Sequence, residues 1–125
     1  MKRMKPVVCL LTAVLCLAGP AQVLAQVFPS RPITIVVPFP PGGVTDQTSR
    51  LVGQKITENT GQPVVIDNRP GAGGQIGANV VKQARPDGYT VFVANIGSHA
   101  INQTLYNKLS YDPIKDFEPV TCMIM

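Results

Sequence analysis

Three apolar runs rich in β-branched residues constrain this chain more than any other feature. They cover residues 33–37, 64–67 and 89–94, and each breaks into a turn of Gly, Pro or Asn that leads into a helix-like stretch. Short apolar runs that alternate with helical stretches indicate βαβ units and a parallel sheet. The predicted fold class is therefore α/β, with a βαβαβ arrangement around a parallel sheet.

The turns that follow the three predicted strands form the predicted ligand site. In an open parallel sheet, ligands bind just beyond the carboxyl ends of the strands. The turns at residues 38–44, 68–75 and 95–99 all fall at that edge of the sheet.

The intervening stretches predict helices with definite starts, apolar positions and stops. Thr45 or Asp46 is the expected N-cap of the first helix, because a short side-chain oxygen accepts from exposed backbone N–H groups. Gly61 is its expected stop. The sequence also predicts a short helix at about 100–106, a helical turn at 112–117 and a fourth strand beginning at 120–125. The predicted apolar positions are Leu51, Val52 and Ile56 in the first helix and Ile76, Val80, Val81 and Ala84 in the second.

Two glycine pairs suggest anion capture. Gly42-Gly43 and Gly73-Gly74 each stand just before a predicted helix start. Backbone N–H groups and the positive end of the helix dipole then face one point, which suits a carboxylate. The alternative, that these glycines only permit tight connections between strand and helix, stays open.

The polar side chains in these turns have two roles open to them. Asp46 and Thr45 are candidates for ligand contact, but also for capping their own helix. Ser98 and His99 lie where they can donate to a carboxylate, although a lone histidine is more often a surface or capping residue. Arg69 has the reach for an anion or for a salt bridge.

Catalytic signatures are missing from the sequence. The segment 71–77 resembles a dinucleotide fingerprint, but its last glycine falls one residue late and no acidic residue ends the following strand. There is no P-loop, no Gly-x-Ser-x-Gly elbow and no spaced set of metal ligands. The sequence therefore predicts no enzyme activity, no metal and no cofactor.

Residues 1–25 are predicted to be a secretory signal peptide. Lys2, Arg3 and Lys5 precede an apolar core at 7–18, which is too short to span a membrane, and residues 23–25 favour cleavage before Gln26. A buried apolar helix is the alternative. Three of the eleven basic residues lie in this segment, leaving eight against seven acidic residues, so nucleic-acid binding is not indicated. Of the three cysteines only Cys122 lies beyond it, so no internal disulfide is predicted.

Six ordered blocks between residues 28 and 120 resemble the periplasmic receptors of tripartite tricarboxylate transporters, the Bug family. They are residues 28–33, 37–46, 61–65, 68–74, 86–90 and 111–117, including Pro-Phe-Pro-Pro-Gly-Gly-Val-Thr-Asp and Asn-Arg-Pro-Gly-Ala-Gly-Gly. The resemblance implies a two-lobed periplasmic-binding-protein-like fold that captures small carboxylates and delivers them to membrane permease subunits. Residues 26–125 would be the N-terminal part of its first lobe, and a truncated chain without the second lobe is expected.

The resemblance also places the ligand against backbone groups of the cleft turns. An anion-binding or interaction module, an inactive gene remnant and an α/β enzyme remain as alternative functions. The ligand-binding residues expected from the turns and the resemblance are Phe39, Pro40, Gly42, Gly43, Thr45, Asp46, Gly73, Gly74, Gln75, Gly97, Ser98 and His99.

Overall fold

Three parallel strands form the centre of the structure, a computed structural model that describes residues 27–123. They are β1 (Ile33–Val37), β2 (Val64–Asn68) and β3 (Thr90–Phe92), in the order β2-β1-β3. The predicted α/β fold with a parallel sheet is confirmed. The predicted signal peptide lies outside the described residues.

The strand boundaries differ from the predicted ones only at the ends. β1 has the predicted limits, whereas β2 extends one residue further, to Asn68. β3 is shorter than the predicted run at 89–94. The pairing nevertheless continues past its end, because the Val93 N–H donates to the Val36 carbonyl oxygen at 3.0 Å.

One face of the sheet packs against helix α1 (Val44–Thr60). Side chains alternate between the faces of a strand, so β1 residues 33, 35 and 37 share this face with their paired neighbours in β2. Gly53 of α1 lies so close to the sheet that a Cβ there would stand 3.0 Å from Val64 Cγ1. The core on this face consists of Ile35, Val37 and Val93, with Val64 and Ile66 packed against them.

Helix α2 (Gln75–Lys82) packs on the opposite face. Its Gly77 lies over Phe92, since a Cβ there would stand 3.2 Å from Phe92 Cε2. Phe92 pairs with Val36, which is completely buried and points away from the Ile35 side. The connection through α1 leads from β1 to β2 on one side of it, and the connection through α2 leads from β2 to β3 on the other side of β1. The strand order therefore reverses direction between β1 and β3, which is the switch point of the sheet.

The predicted N-cap of the first helix and several of the predicted buried apolar positions were wrong. The N-cap of α1 is Gly43, not Thr45 or Asp46, because the helix begins one residue before Thr45 and places both side chains in its first turn. Leu51 is 60% exposed, and the buried positions of α1 are Asp46, Ser49 and Gly53. Close approach of helix to sheet favours small residues at the contact.

The same rule applies to α2. Ile76 and Val80 were predicted to face the core, yet both are exposed. Gly77 and Ala78 are the buried residues of this helix. The short helix therefore also meets the sheet through its smallest side chains rather than through its largest apolar ones.

The segment after β3 coils earlier than predicted. A π-type turn, Gly97–Ile101, runs directly into the short helix α3 (Asn102–Leu105), whereas the predicted start was near residue 100. The helical turn predicted at 112–117 is present, and the Asp116 N–H donates to the Asp112 carbonyl oxygen at 3.0 Å. Residues 120–123 form no strand, and 124–125 lie outside the described part.

Polar and aromatic contacts join the segments that precede β1 and β3, at the amino ends of these strands. Arg31 bonds to Asp87 at 2.7 Å, and its guanidinium carbon lies 3.9 Å from the centre of the Tyr89 ring. The Tyr89 hydroxyl accepts from the Ser30 N–H at 2.9 Å, and Phe28 packs against the same ring. These contacts fix the chain where it enters β1.

No helix in residues 27–123 has both the length and the apolar character to cross a membrane.

Candidate functional site

The three predicted turns meet at the switch point of the sheet. Gly74, in the second turn, is buried between the other two. A Cβ on Gly74 would stand 3.4 Å from Pro38 Cβ in the first turn and 3.5 Å from Ser98 Cβ in the third. The backbone of Gly74 has φ +91°, a conformation that a side chain disfavours. The fold therefore gathers three segments that are far apart in the sequence into one place.

The first turn presents exposed backbone. Phe39, Pro40, Gly42 and Gly43 are all exposed, and Gly42 has φ +90° with no heavy atom near the position of its missing Cβ. α1 begins directly afterwards, and the first N–H groups of a helix have no partner inside it. These groups and the helix dipole give the turn a positive potential that attracts an anion.

The carboxylate of Asp46 serves the turn itself. Asp46 is only 2% exposed, and its Oδ2 accepts from the Gly42 N–H at 2.9 Å and from Arg50 Nε at 3.0 Å. Its Oδ1 accepts from Asn68 Nδ2 at 3.0 Å. The hydrogen bond from Arg50, followed by those from Gly42 and Asn68, holds the pKa of Asp46 well below its ordinary value. Asp46 therefore stays ionised, with its oxygens engaged by the protein.

Thr45 is the second residue of α1, and Gln75 is the first residue of α2. Both are half-buried. The Thr45 carbonyl oxygen accepts from Ser49 Oγ at 2.6 Å, and the Gln75 carbonyl oxygen accepts from Asn79 Nδ2 at 2.9 Å. Their carbonyl groups are thus used within their own helices.

Asn102, the first residue of α3, joins the second turn to the helix that follows the third turn. Its Nδ2 donates to the Gly73 carbonyl oxygen at 2.9 Å, and Asn102 is buried. Gly73 itself is exposed, and a Cβ there would stand 3.2 Å from the Tyr106 hydroxyl. The Gly74 N–H closes the turn by donating to the Gly71 carbonyl oxygen at 2.9 Å. Of this glycine pair, Gly73 is open to solvent and Gly74 forms the internal contact.

The third turn uses its polar atoms internally. Gly97 is half-buried, and Ser98 is completely buried. The Ser98 hydroxyl accepts from the Asn95 N–H at 3.1 Å, and the Ser98 N–H donates to Asn95 Oδ1 at 2.9 Å. The Ser98 carbonyl oxygen accepts from the Tyr111 hydroxyl. Ser98 therefore anchors the turn, with its hydroxyl directed into the protein.

His99 lies in an aromatic cluster rather than in open solvent. Its ring stacks on Phe92 with centroids 5.6 Å apart and meets the edge of Phe117 at 5.0 Å. Tyr111 completes the cluster, and His99 Nδ1 lies 3.1 Å from the Ser98 hydroxyl. Burial lowers the pKa of His99, because the charged imidazolium loses hydration there.

Two asparagines of the site are not among the residues predicted from the sequence, and one arginine had two predicted roles. Asn68 donates to Phe39 in the first turn, and Asn102 donates to Gly73 in the second. The one available signal was an amide side chain directly after a predicted strand, as at Asn68. Arg69 takes the salt-bridge alternative, with Nε 2.9 Å from Asp67 Oδ2. Among residues 27–123, no three His, Cys, Asp or Glu side chains lie together as metal ligands.

The comparisons with known proteins agree with this architecture. The model of the family described as "Tripartite tricarboxylate transporter family receptor" matches residues 48–125. The protein BugT of Bordetella pertussis is 39% identical over 102 residues, which are 81% of this chain and 31% of BugT.

Two solved structures are similar in fold as well as in sequence. MatC from Rhodopseudomonas palustris with bound malate aligns with a TM-score of 0.70 and 46% identity, covering 74% of this chain and 32% of MatC. The protein Rpa4515 of R. palustris with adipate aligns with a TM-score of 0.66 and 44% identity, covering 69% of this chain and 29% of that protein. The chain thus spans about three tenths of the length of these relatives.

Proposed function

Because this chain belongs to the tripartite tricarboxylate transporter receptor family, we propose that it binds small carboxylates through its three turns. The observation that carries this proposal is the burial of Gly74 between Pro38 and Ser98, which brings the turns together at the switch point. Ligands of open parallel sheets bind at such a point.

The chemistry of the site suits an anion bound by backbone groups. Asp46 and Ser98 use their polar side-chain oxygens within the protein, and Arg69 pairs through Nε with Asp67, so exposed backbone N–H groups are the main candidates for ligand contact. N–H groups at a helix start make charge-assisted hydrogen bonds to a carboxylate. The binding of malate by MatC and of adipate by its relative supports a ligand with two carboxylates.

We place this activity in the periplasm, with export by the predicted signal peptide and delivery of the ligand to membrane permease subunits. The family to which the chain belongs supports the periplasmic location and the permease partnership. Residues 27–123 would supply the first lobe's share of the binding cleft. Binding without catalysis is the proposed role, and the bound carboxylate is released unchanged.

The test is an NMR titration of the ¹⁵N-labelled chain with malate and adipate, using succinamide as an uncharged control. We expect saturable shifts at the amides of Gly43, Val44 and Gly73 with the dicarboxylates and no such shifts with succinamide. An absence of shifts at these amides at millimolar malate and adipate would refute the proposed ligand class. Equal shifts with succinamide would refute recognition of charge.

A further inference from the structure

The contacts of Asp46 extend into a network that holds both ends of the first turn. Asn68 Nδ2 donates to Asp46 Oδ1 at 3.0 Å and to the Phe39 carbonyl oxygen at 3.1 Å. Asp46 Oδ2 meanwhile accepts from the Gly42 N–H. The backbone is therefore held at Phe39 on one side and at Gly42 on the other, while the residues between them stay exposed.

Arg50 completes the network and balances its charge. Its Nε donates to Asp46 Oδ2 at 3.0 Å, and its Nη2 lies 3.3 Å from Asn68 Oδ1. A buried carboxylate is tolerated only when it is paired and hydrogen-bonded, and Asp46 meets both conditions. The arginine side chain is 53% exposed, so it reaches the buried carboxylate from the surface.

This arrangement has a consequence for an anionic ligand. An unpaired carboxylate beside the first turn would repel a second carboxylate, whereas the ion pair with Arg50 removes the net charge. Asp46 also occupies the Gly42 N–H, so that donor is already used before any ligand binds. The network fixes the shape of the turn and leaves the N–H groups of the α1 start to the ligand.

We propose that Asp46, Arg50 and Asn68 are positioning residues that hold the first turn in its binding conformation in the ligand-free protein. This inference rests on the proposed carboxylate site for its effect on binding. The claim that the network holds the first turn in place concerns the ligand-free protein alone. The three residues come from the start of α1 and the end of β2, so the network also couples the first turn to the second strand.

The experiment compares Asn68→Asp with Asn107→Asp in the full chain. The first substitution removes both N–H donors of Nδ2 with almost no change in shape and adds a negative charge beside Asp46, and the second makes the same chemical change, charge included, at an exposed position. Amide hydrogen exchange of Gly42 is measured by NMR without ligand, and malate affinity is measured separately. Arg50→Gln, at a half-exposed side chain, is the second variant if Asn68→Asp does not fold.

We expect Asn68→Asp to speed Gly42 exchange by about tenfold or more and to weaken malate binding by about tenfold, with Arg50→Gln acting in the same direction. Asn107→Asp should change neither. Unchanged Gly42 exchange in both network variants would overturn the inference, as would faster exchange with unaltered malate affinity. If the wild-type chain protects Gly42 and the variants lose that protection, but no form binds malate or adipate, the network is supported and the proposed ligand class fails.

Discussion

Gly42 and Gly74 share a backbone conformation but not an environment, and this difference makes a sharp prediction. Their φ values are +90° and +91°. A left-handed backbone costs an L-residue about 1–2 kcal/mol. Replacing glycine also lowers the conformational entropy of the unfolded chain, which offsets about 0.4–1 kcal/mol of that cost. No heavy atom lies within 4 Å of a Cβ at Gly42, and those near Gly74 stand at 3.4 and 3.5 Å, which is ordinary contact. Alanine should therefore destabilise the chain by about 1 kcal/mol at either position.

Asparagine separates the two positions. It tolerates the left-handed region, so Gly42→Asn should be milder than Gly42→Ala. At Gly74 the same side chain would have to enter the space between Pro38 and Ser98, which adds about 1–3 kcal/mol for overpacking and about 1–3 kcal/mol for a buried amide. Gly74→Asn should thus cost several kcal/mol more than Gly42→Asn.

Urea denaturation of the full chain, followed by far-ultraviolet circular dichroism, measures these four variants against wild type. Equal tolerance of asparagine at the two positions would show that the three turns do not pack around Gly74. A difference of more than about 1 kcal/mol between the two alanine variants would show that sterics, not backbone strain, governs the second turn.

Three further predictions concern the core and the aromatic cluster. Because burial lowers the pKa of His99, the unfolded chain binds a proton more readily, so the free energy of unfolding should fall as the pH drops below about 6.5. His99→Phe should flatten that slope between pH 7.5 and 5.5 in urea titrations. Gly53→Ala should cost about 1–3 kcal/mol through its 3.0 Å contact, despite the better helix propensity of alanine, and Val64→Ala should relieve part of that cost in the double variant. Val36→Ala, at a fully buried position, should cost about 2–3 kcal/mol in the same assay, and a loss below about 1 kcal/mol would contradict its central place in the sheet.

The local pattern of the sequence was sufficient for the three strands and for helices α1 and α2, but not for residues 120–123, which were predicted to begin a fourth strand and form none. The β-branched run at 33–37 forms a strand with the predicted limits, since four of its five residues are apolar and buried, as expected of a parallel strand covered on both faces. The helix faces were harder to predict. Leu51 and Ile76 have the apolarity expected of core residues, but the distance between helix and sheet selects Gly53 and Gly77 instead.

The site depended on contacts that no local pattern records. The parallel sheet alone predicted that the three turns after the strands lie at one end of the sheet, and the structure brings all three together. The partners of the polar side chains did not follow, because Asp46 meets Asn68 across 22 residues and Gly73 meets Asn102 across 29. Serine and histidine at 98 and 99 were predicted to face a ligand, and tertiary packing directs the first inward and places the second among aromatic rings.

The position of β1 in the middle of the sheet also sets the order in which the site is assembled. Pairing of β1 with β2 joins Ile33 to Val64 and closes a loop of 31 residues, whereas pairing with β3 joins Thr34 to Thr90 and closes one of 56. The larger loop carries an additional entropic cost of about 0.5 kcal/mol and yields the shorter strand. We therefore expect pulse-labelled amide exchange to show β1 and β2 protected first, so that the third turn completes the site only in the last step of folding.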